Sequence, residues 1–338
     1  MMNLYKILFF NLIILSSMIS ISTMSWFSAW MGLEMNLLAI IPIMKTKKNK
    51  LSAEACIKYF IIQAMASSML LFSVIMFTNM YLNKSTSINL SPAILSNLAL
   101  LLKMGAAPLH FWLPEVISGL NWFSIFIILT WQKIAPMILL SYNLSNPLLL
   151  SAIAISSSLV SGIQSMNLVC LRKIMAYSSI NHMGWMLCAM ISSINLWLYY
   201  FLIYSLINLS IMTLMNKFQI FFLSQLSKMI SENKMLKFMF MLNFLSLGGL
   251  PPFLGFLPKW LTLNFLINMN FLTLSMLMVL STLITLFIYM RLTFSSLTLL
   301  NQETLPMKQP SILPFLFPLI NSLTLWGLPL YFFFSNLL

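Results

Sequence analysis

GAAPLHFWLPE, residues 105–115, and GLPPFLGFLPK, residues 249–259, share one punctuation. Each places Gly, Pro and Pro at offsets of zero, three and nine: Gly105, Pro108 and Pro114 in the first, Gly249, Pro252 and Pro258 in the second. Both interrupt long apolar runs. Proline inside a helix removes a backbone hydrogen bond and kinks or breaks the helix. In lipid the freed carbonyls must then face protein or water. Gly/Pro-interrupted spans at corresponding places in two halves of a chain point to a transporter built on a repeat, with its ion path at the breaks.

The surrounding composition decides that these runs belong in a membrane. Of 338 residues, 60% are hydrophobic and only 7% are charged, and mean hydropathy is +0.95. A soluble chain carries roughly a quarter charged residues, so a soluble domain is excluded. Lys and Arg number 18 against five Glu and no Asp, for a net charge of +13. These basic residues are scattered between apolar runs and form no polar face, so no nucleic-acid partner is expected. Cys56, Cys170 and Cys188 have no CxxC spacing and no nearby histidine cluster, which leaves a disulfide framework, a zinc site and an iron–sulfur site without support.

A helix needs about 20 apolar residues to cross the hydrocarbon core. Stretches near 4–23, 25–44, 55–79, 91–112, 117–142 and 147–169 satisfy that length, as do 174–194, 196–223, 238–266, 271–292 and 312–336. The first lacks a small-residue cleavage pattern before a polar mature region and reads as a retained span. The expected fold is all-α, a polytopic membrane protein of about eleven transmembrane helices. It is read as a single membrane domain, 1–338, with approximate halves 1–145 and 146–292 and a C-terminal helix at 312–336.

Loop charge tests this arrangement. The N-terminal side receives Lys6, Lys45, Lys47, Lys48, Lys50, Arg172, Lys173, Lys228, Lys234, Lys237 and Lys308, with Lys58, Lys217 and Arg291 at nearby helix ends. The other side receives Lys84. That is positive-inside asymmetry, and it puts the N-terminus on the positive side and the C-terminus opposite. The two Gly/Pro breaks fall in the fourth and ninth spans. An offset of five spans reverses orientation, so the halves are expected to be inverted repeats. The largest polar connections, 224–237 and 293–311, are too short for a globular domain.

Function must therefore sit inside the membrane or at contacts with partner chains. An ionisable group at bilayer depth is costly and by default marks a functional path. Four residues qualify: Glu34 in WMGLEMNLL, Lys103 in LALLLKMGAAP, Lys133 after Trp131-Gln132, and Lys259 after the second break. Burial opposes the charged form of such groups, so they can exchange a proton, with the carboxylate tuning its neighbour. The bland alternatives are lysines snorkelling from helix ends, strongest for Lys259, and a purely structural Glu34–Lys103 ion pair. Lys103 and Lys133 each stand about ten or more residues from the ends of their spans. His110 and His182, the two histidines, are more often hydrogen-bonded core residues than ligands. They are candidates for a proton wire. No metal or haem is expected, since no second histidine lies at helical spacing.

Five stretches taken together carry a resemblance: WMGLEMN (30–36), KMGAAPLHFWLPE (103–115), TWQKIAP (130–136), LRKIMAYSSINHMGWM (171–186) and SLGGLPPFLGFLPKW (246–260). In order and over nearly the whole chain, they are similar to the antiporter-like membrane subunits of animal mitochondrial NADH:ubiquinone oxidoreductase, respiratory complex I. The resemblance implies a proton-pumping subunit with two inverted five-helix bundles, each with a broken helix. It implies a Glu–Lys pair at Glu34 and Lys103, a central lysine at Lys133 and a further one at Lys259, with His110 and His182 near a hydrophilic axis. It also implies the shortened animal form, which lacks about three N-terminal helices of bacterial relatives, so that a neighbouring subunit or lipid covers one face.

On this reading the chain translocates protons across the inner mitochondrial membrane, N-terminus in the matrix and C-terminus in the intermembrane space. Electron transfer from NADH to ubiquinone in other subunits drives it. No cofactor is expected on this chain, which has no GxGxxG, P-loop or cysteine cluster. NADH, FMN, iron–sulfur clusters and ubiquinone belong to other subunits. Expected partners are antiporter-like and small membrane subunits, with cardiolipin a candidate at the basic loops. The alternatives are a self-contained cation/proton antiporter, disfavoured by the lack of a buried Asp, and a structural spacer, disfavoured by the cost of idle buried lysines.

Overall fold

The computed structural model describes residues 4–46, 49–83, 90–144, 146–226, 234–298 and 322. The expected span at 312–336, residue 322 apart, lies outside the described residues, as do Lys47, Lys48, Lys84, Lys228 and Lys308. Among the described residues the regular elements are helices, with one isolated antiparallel bridge between Cys170 and Phe222. Helix is the element lipid demands, because it satisfies every backbone group within its own segment. The chain forms two compact units, Met1–Leu149 and Leu150–Leu338.

The first unit holds α1 (Leu4–Ser22), α2 (Trp26–Met44), α3 (Lys50–Asn83), α4 (Leu90–Met104), α5 (Trp112–Ser118), α6 (Trp122–Leu129) and α7 (Trp131–Ser141). Helix α1 shows how these pack. Ile13, Ser16, Ser17 and Ser20 are buried at helical spacing, while Leu8, Leu12, Leu15, Met18 and Ile19 point outward. The hydroxyls of Ser16, Ser17 and Ser20 donate to carbonyls three residues back, at 2.8–3.0 Å, so no donor is left bare. Ser20 meets Gly32 of α2 so closely that a Cβ on Gly32 would lie 2.9 Å from the Ser20 backbone nitrogen. Small residues at the contact let two helices approach where lipid offers no hydrophobic drive between them.

The second unit holds α8 (Pro147–Ser165), which begins at the boundary, α9 (Leu171–Ser192), α10 (Ile194–Phe218), α11 (Lys234–Gly248), α12 (Phe256–Asn268) and α13 (Leu272–Thr298). Helix α9 is its centre, with 17 of its 22 residues buried, among them Ser178, Ser179, Asn181 and His182. Those polar groups cannot face lipid cheaply. Gly184 gives α9 its close approach to α8, lying against the Ser157 hydroxyl and the Ala154 carbonyl.

Among the described residues, seven helical stretches are long and apolar enough to cross a membrane: Tyr5–Ser22, Trp26–Met44, Lys50–Asn79, Trp122–Ser141, Pro147–Ser165, Ile194–Phe218 and Leu272–Phe294. All seven fall on spans expected from the sequence. The stretch 174–194 is occupied as far as residue 192 by α9, a continuous helix. The ninth expected span, 238–266, is split in two, α11 with α12, whereas in the fourth, 91–112, helix α4 stops at Met104 and α5 begins only at Trp112.

The splits have a different physical cause from the one the prolines implied. Each first half-helix ends on a glycine in the left-handed region, Gly105 at φ 74° and Gly249 at φ 80°. At the first, Ala106 N–H bonds Leu101 O at 3.1 Å and Gly105 N–H bonds Leu102 O at 3.2 Å. At the second, Leu250 N–H bonds Leu245 O at 3.4 Å and Gly249 N–H bonds Ser246 O at 3.0 Å. Both are Schellman caps, in which a left-handed glycine folds the chain back onto the last turn. Pro108 and Pro252 follow in the connections, and the Ala107–Pro108 peptide bond is cis. Pro114 and Pro258 occupy the third position of α5 and α12, where a backbone N–H has no helical partner to lose.

Candidate functional site

Lys103 is the penultimate residue of α4, so it sits at the end of a half-helix and not at the middle of a continuous span. The negative end of the helix dipole favours a cation there. Its side chain is 7% exposed. It lines a cavity of ≈ 10 Å³ with Leu33, Asn36, Leu37, Tyr59, Gln63, Gln132 and Pro136, about the threshold for one ordered water. Gln63 of α3 donates to the Lys103 carbonyl at 3.1 Å, and Gln132 of α7 donates to Asn36 of α2 at 2.9 Å. Four helices thus bring a polar cluster to one lysine. The pairing expected between Glu34 and Lys103 is not a contact: no ion pair joins them.

Lys133 lies on α7 at 1% exposure, among the largest fully buried side chains. Gln132 and Pro136, four residues apart, face the Lys103 cavity. Lys133 follows Gln132 and projects about 100° further round the helix, and it does not line that cavity. Gln132, which the sequence did not single out, lines the Lys103 cavity and precedes Lys133 on α7.

Lys259, 6% exposed, stands on the first turn of α12 and reaches back across its own break. Its Nζ donates to Gly248 O at 2.9 Å and Leu247 O at 3.4 Å. These are the last two carbonyls of α11, which have no helical partner. The Trp185 ring of α9 lies 5.9 Å from the same Nζ. The snorkelling alternative therefore does not describe Lys259, whose ammonium is turned inward.

His110 lies in the first break, buried, with Nδ1 3.3 Å from Pro108 O and its ring tilted on Phe111. It does not line the Lys103 cavity. His182, on α9, has Nδ1 2.9 Å from the Tyr200 hydroxyl and its ring 5.0 Å from that of Tyr204. Among the described residues no group of three His, Cys or Glu could hold a metal ion.

The sequence reading missed Asn36, Gln63, Gln132, Trp112 and Trp185. One signal was available for the first three: each is a carboxamide well inside an apolar span. The two tryptophans carried none, because an indole among apolar residues looks like core.

Comparison with known proteins agrees with this architecture. Residues 23–285 match the family model described as the transmembrane part of NADH:quinone oxidoreductase/Mrp antiporters. NADH-ubiquinone oxidoreductase chain 2 of Anopheles gambiae is 48% identical over 297 residues, 88% of this chain and 87% of that protein. The chain 2 of Locusta migratoria is 43% identical over 301 residues, 89% and 88% of the two. Among solved structures, a chain of respiratory complex I from Thermus thermophilus superposes with a TM-score of 0.84 at 22% identity, covering 96% of this chain and 78% of that one. The chain belongs to the NADH:quinone oxidoreductase/Mrp antiporter family of membrane proteins.

Proposed function

We propose that this chain is a membrane-arm subunit of NADH:ubiquinone oxidoreductase and moves protons across the inner mitochondrial membrane through buried lysines. The observation that carries the proposal is the burial of three lysines, Lys103, Lys133 and Lys259, two of them at the carboxyl ends of half-helices. A lysine at bilayer depth costs about 2.5–3.5 kcal/mol even on the mildest scale. A small change in its surroundings therefore decides whether it holds a proton. Half-helix ends supply that sensitivity, since their carbonyls favour the ammonium and their geometry can shift at the break.

In this mechanism a proton enters from the matrix side and passes by Lys103, Lys133 and Lys259 before leaving on the other side. Glu34 biases Lys103 from a distance, while Gln132 and one water in the cavity bridge toward Lys133. His110 and His182 are further members of the path. The N-terminus faces the matrix and the C-terminus the intermembrane space. Redox chemistry takes place on other subunits, which hold NADH, FMN, iron–sulfur clusters and ubiquinone, and reaches this chain as electrostatic or conformational coupling. Neighbouring antiporter-like and small membrane subunits and cardiolipin complete its surroundings.

The test is the number of protons moved per electron by the intact complex carrying Lys103→Met or Lys133→Met. The yield should fall while the complex still assembles, and an undiminished yield removes the relay. Membership is tested by mass spectrometry of the band active in NADH oxidation on a native gel. Absence from that band, with Na⁺ or K⁺ flux in vesicles of the purified chain, would put the self-contained cation/proton antiporter in its place.

A further inference from the structure

The second break seats its lysine between two uncharged residues. We infer that Gly249 and Trp185 are positioning residues that hold Lys259 on the end of α11, an inference that rests on the proton-relay reading above.

Gly249 does more than supply a left-handed φ. A Cβ built on it would lie 2.9 Å from Lys259 Cδ, 3.1 Å from Nζ and 3.3 Å from Cε. All three nearest atoms belong to the lysine tail. The space a side chain would fill is therefore the space the lysine occupies on its way to Gly248 O and Leu247 O. A methyl group there would crowd the lysine tail, on top of the strain any side chain meets at φ 80°.

Trp185 closes the other side. Its ring is buried, and Nζ stands 5.9 Å from the centroid, at the outer limit of cation–π attraction. Its Nε1 is buried with no acceptor among the described residues. Phenylalanine lacks that N–H and keeps an aromatic face, so replacing Trp185 by phenylalanine separates the face from the N–H. No carboxylate forms an ion pair with Lys259 among the described residues. The ammonium is held by two carbonyls, one π face and a void of matching shape.

The first break lacks this seat. A Cβ on Gly105 would meet the Trp112 ring at 3.2 Å, with no lysine atom among its three nearest neighbours.

The experiment compares Lys259→Gln, Gly249→Ala, Trp185→Leu and Trp185→Phe in the intact complex. It reads protons per electron, with assembled amount as the measure of folding. Lys259→Gln should lose yield. Gly249→Ala and Trp185→Leu should lose part of it, and Trp185→Phe should restore much of what Trp185→Leu loses. In the Lys259→Gln background neither second change should lower the yield further, because both act through that lysine. If Gly249→Ala fails to assemble, the Trp185 pair decides. Full yield in Trp185→Leu with loss in Lys259→Gln overturns the positioning role and leaves the relay standing. Losses that add in the double variants mark a purely structural role and also overturn it. Full yield in Lys259→Gln overturns the inference together with the relay reading beneath it.

Discussion

The two breaks begin with the same cap and finish with opposite charges. Gly105 and Gly249 close their half-helices with the same pair of bonds. Ten residues after each glycine comes a charged residue, Glu115 in the first unit and Lys259 in the second. Glu115 turns outward and pairs with Lys58 of α3 at 2.7 Å, the two side chains 59% and 50% exposed. Lys259 turns inward onto the carbonyls of α11. The first break, deprived of that ammonium, satisfies its carbonyls with neutral donors: Trp112 Nε1 on Leu102 O at 3.1 Å and Gln63 Nε2 on Lys103 O at 3.1 Å. Its own buried lysine comes from before the break. The same backbone joint is thus closed by a lysine amine in one unit and by an indole and a carboxamide in the other.

The largest effect that could break this comparison is steric. Six residues after the cap the second unit has Gly255, whose added Cβ would collide with the Ser246 carbonyl, a backbone atom with nowhere to go. The first unit has Phe111 there, 68% exposed. Gly255→Ala should abolish assembled protein, costing about 3 kcal/mol or more as overpacking against backbone, while Phe111→Ala leaves it near normal. Native-gel abundance of the two variants checks this, and equal abundance would show that the second break is as open as the first.

Gln63→Leu comes next. It strips the donor from the buried Lys103 carbonyl and should cost about 1–3 kcal/mol, read as a lower thermal midpoint of the purified complex. An unchanged midpoint would mean that water closes the first break instead. Trp112→Phe keeps the ring and loses one neutral hydrogen bond, so a loss of about 1 kcal/mol is expected. Proton yield should be unaffected; a fall in yield would erase the distinction between the two closures. Glu115→Gln should change least, because an exposed ion pair contributes little. Its assembled amount and proton yield should match the parent, and a loss of yield would place the outward charge on the path.

Much of this was legible because the bilayer simplifies the code. Long apolar runs mark helices, and a lysine within one is conspicuous, which is how Lys103, Lys133 and Lys259 stood out. The Gly/Pro spacing located both breaks. It did not say which residue makes them, since a left-handed glycine and a proline interrupt an apolar run alike on paper. The place of Lys103 on its helix differs from the expectation for the same reason: counting from the ends of a run assumes that the run is one helix. Asn36, Gln63 and Gln132 passed unnoticed because the direction a lone carboxamide faces depends on how its helix is rotated against others.

What the sequence by itself determined is the class of solvent, the helical class, the two breaks and the identity of the lysines. These follow from hydropathy and backbone chemistry, which act over a few residues and need no partner. Tertiary structure alone decided that Glu115 faces out and Lys259 in, that Glu34 makes no ion pair with Lys103, and that Trp185 lies 5.9 Å from a lysine Nζ from a distant part of the chain. Each of those depends on which helix packs beside which, and burial, not local propensity, sets where a charge can rest.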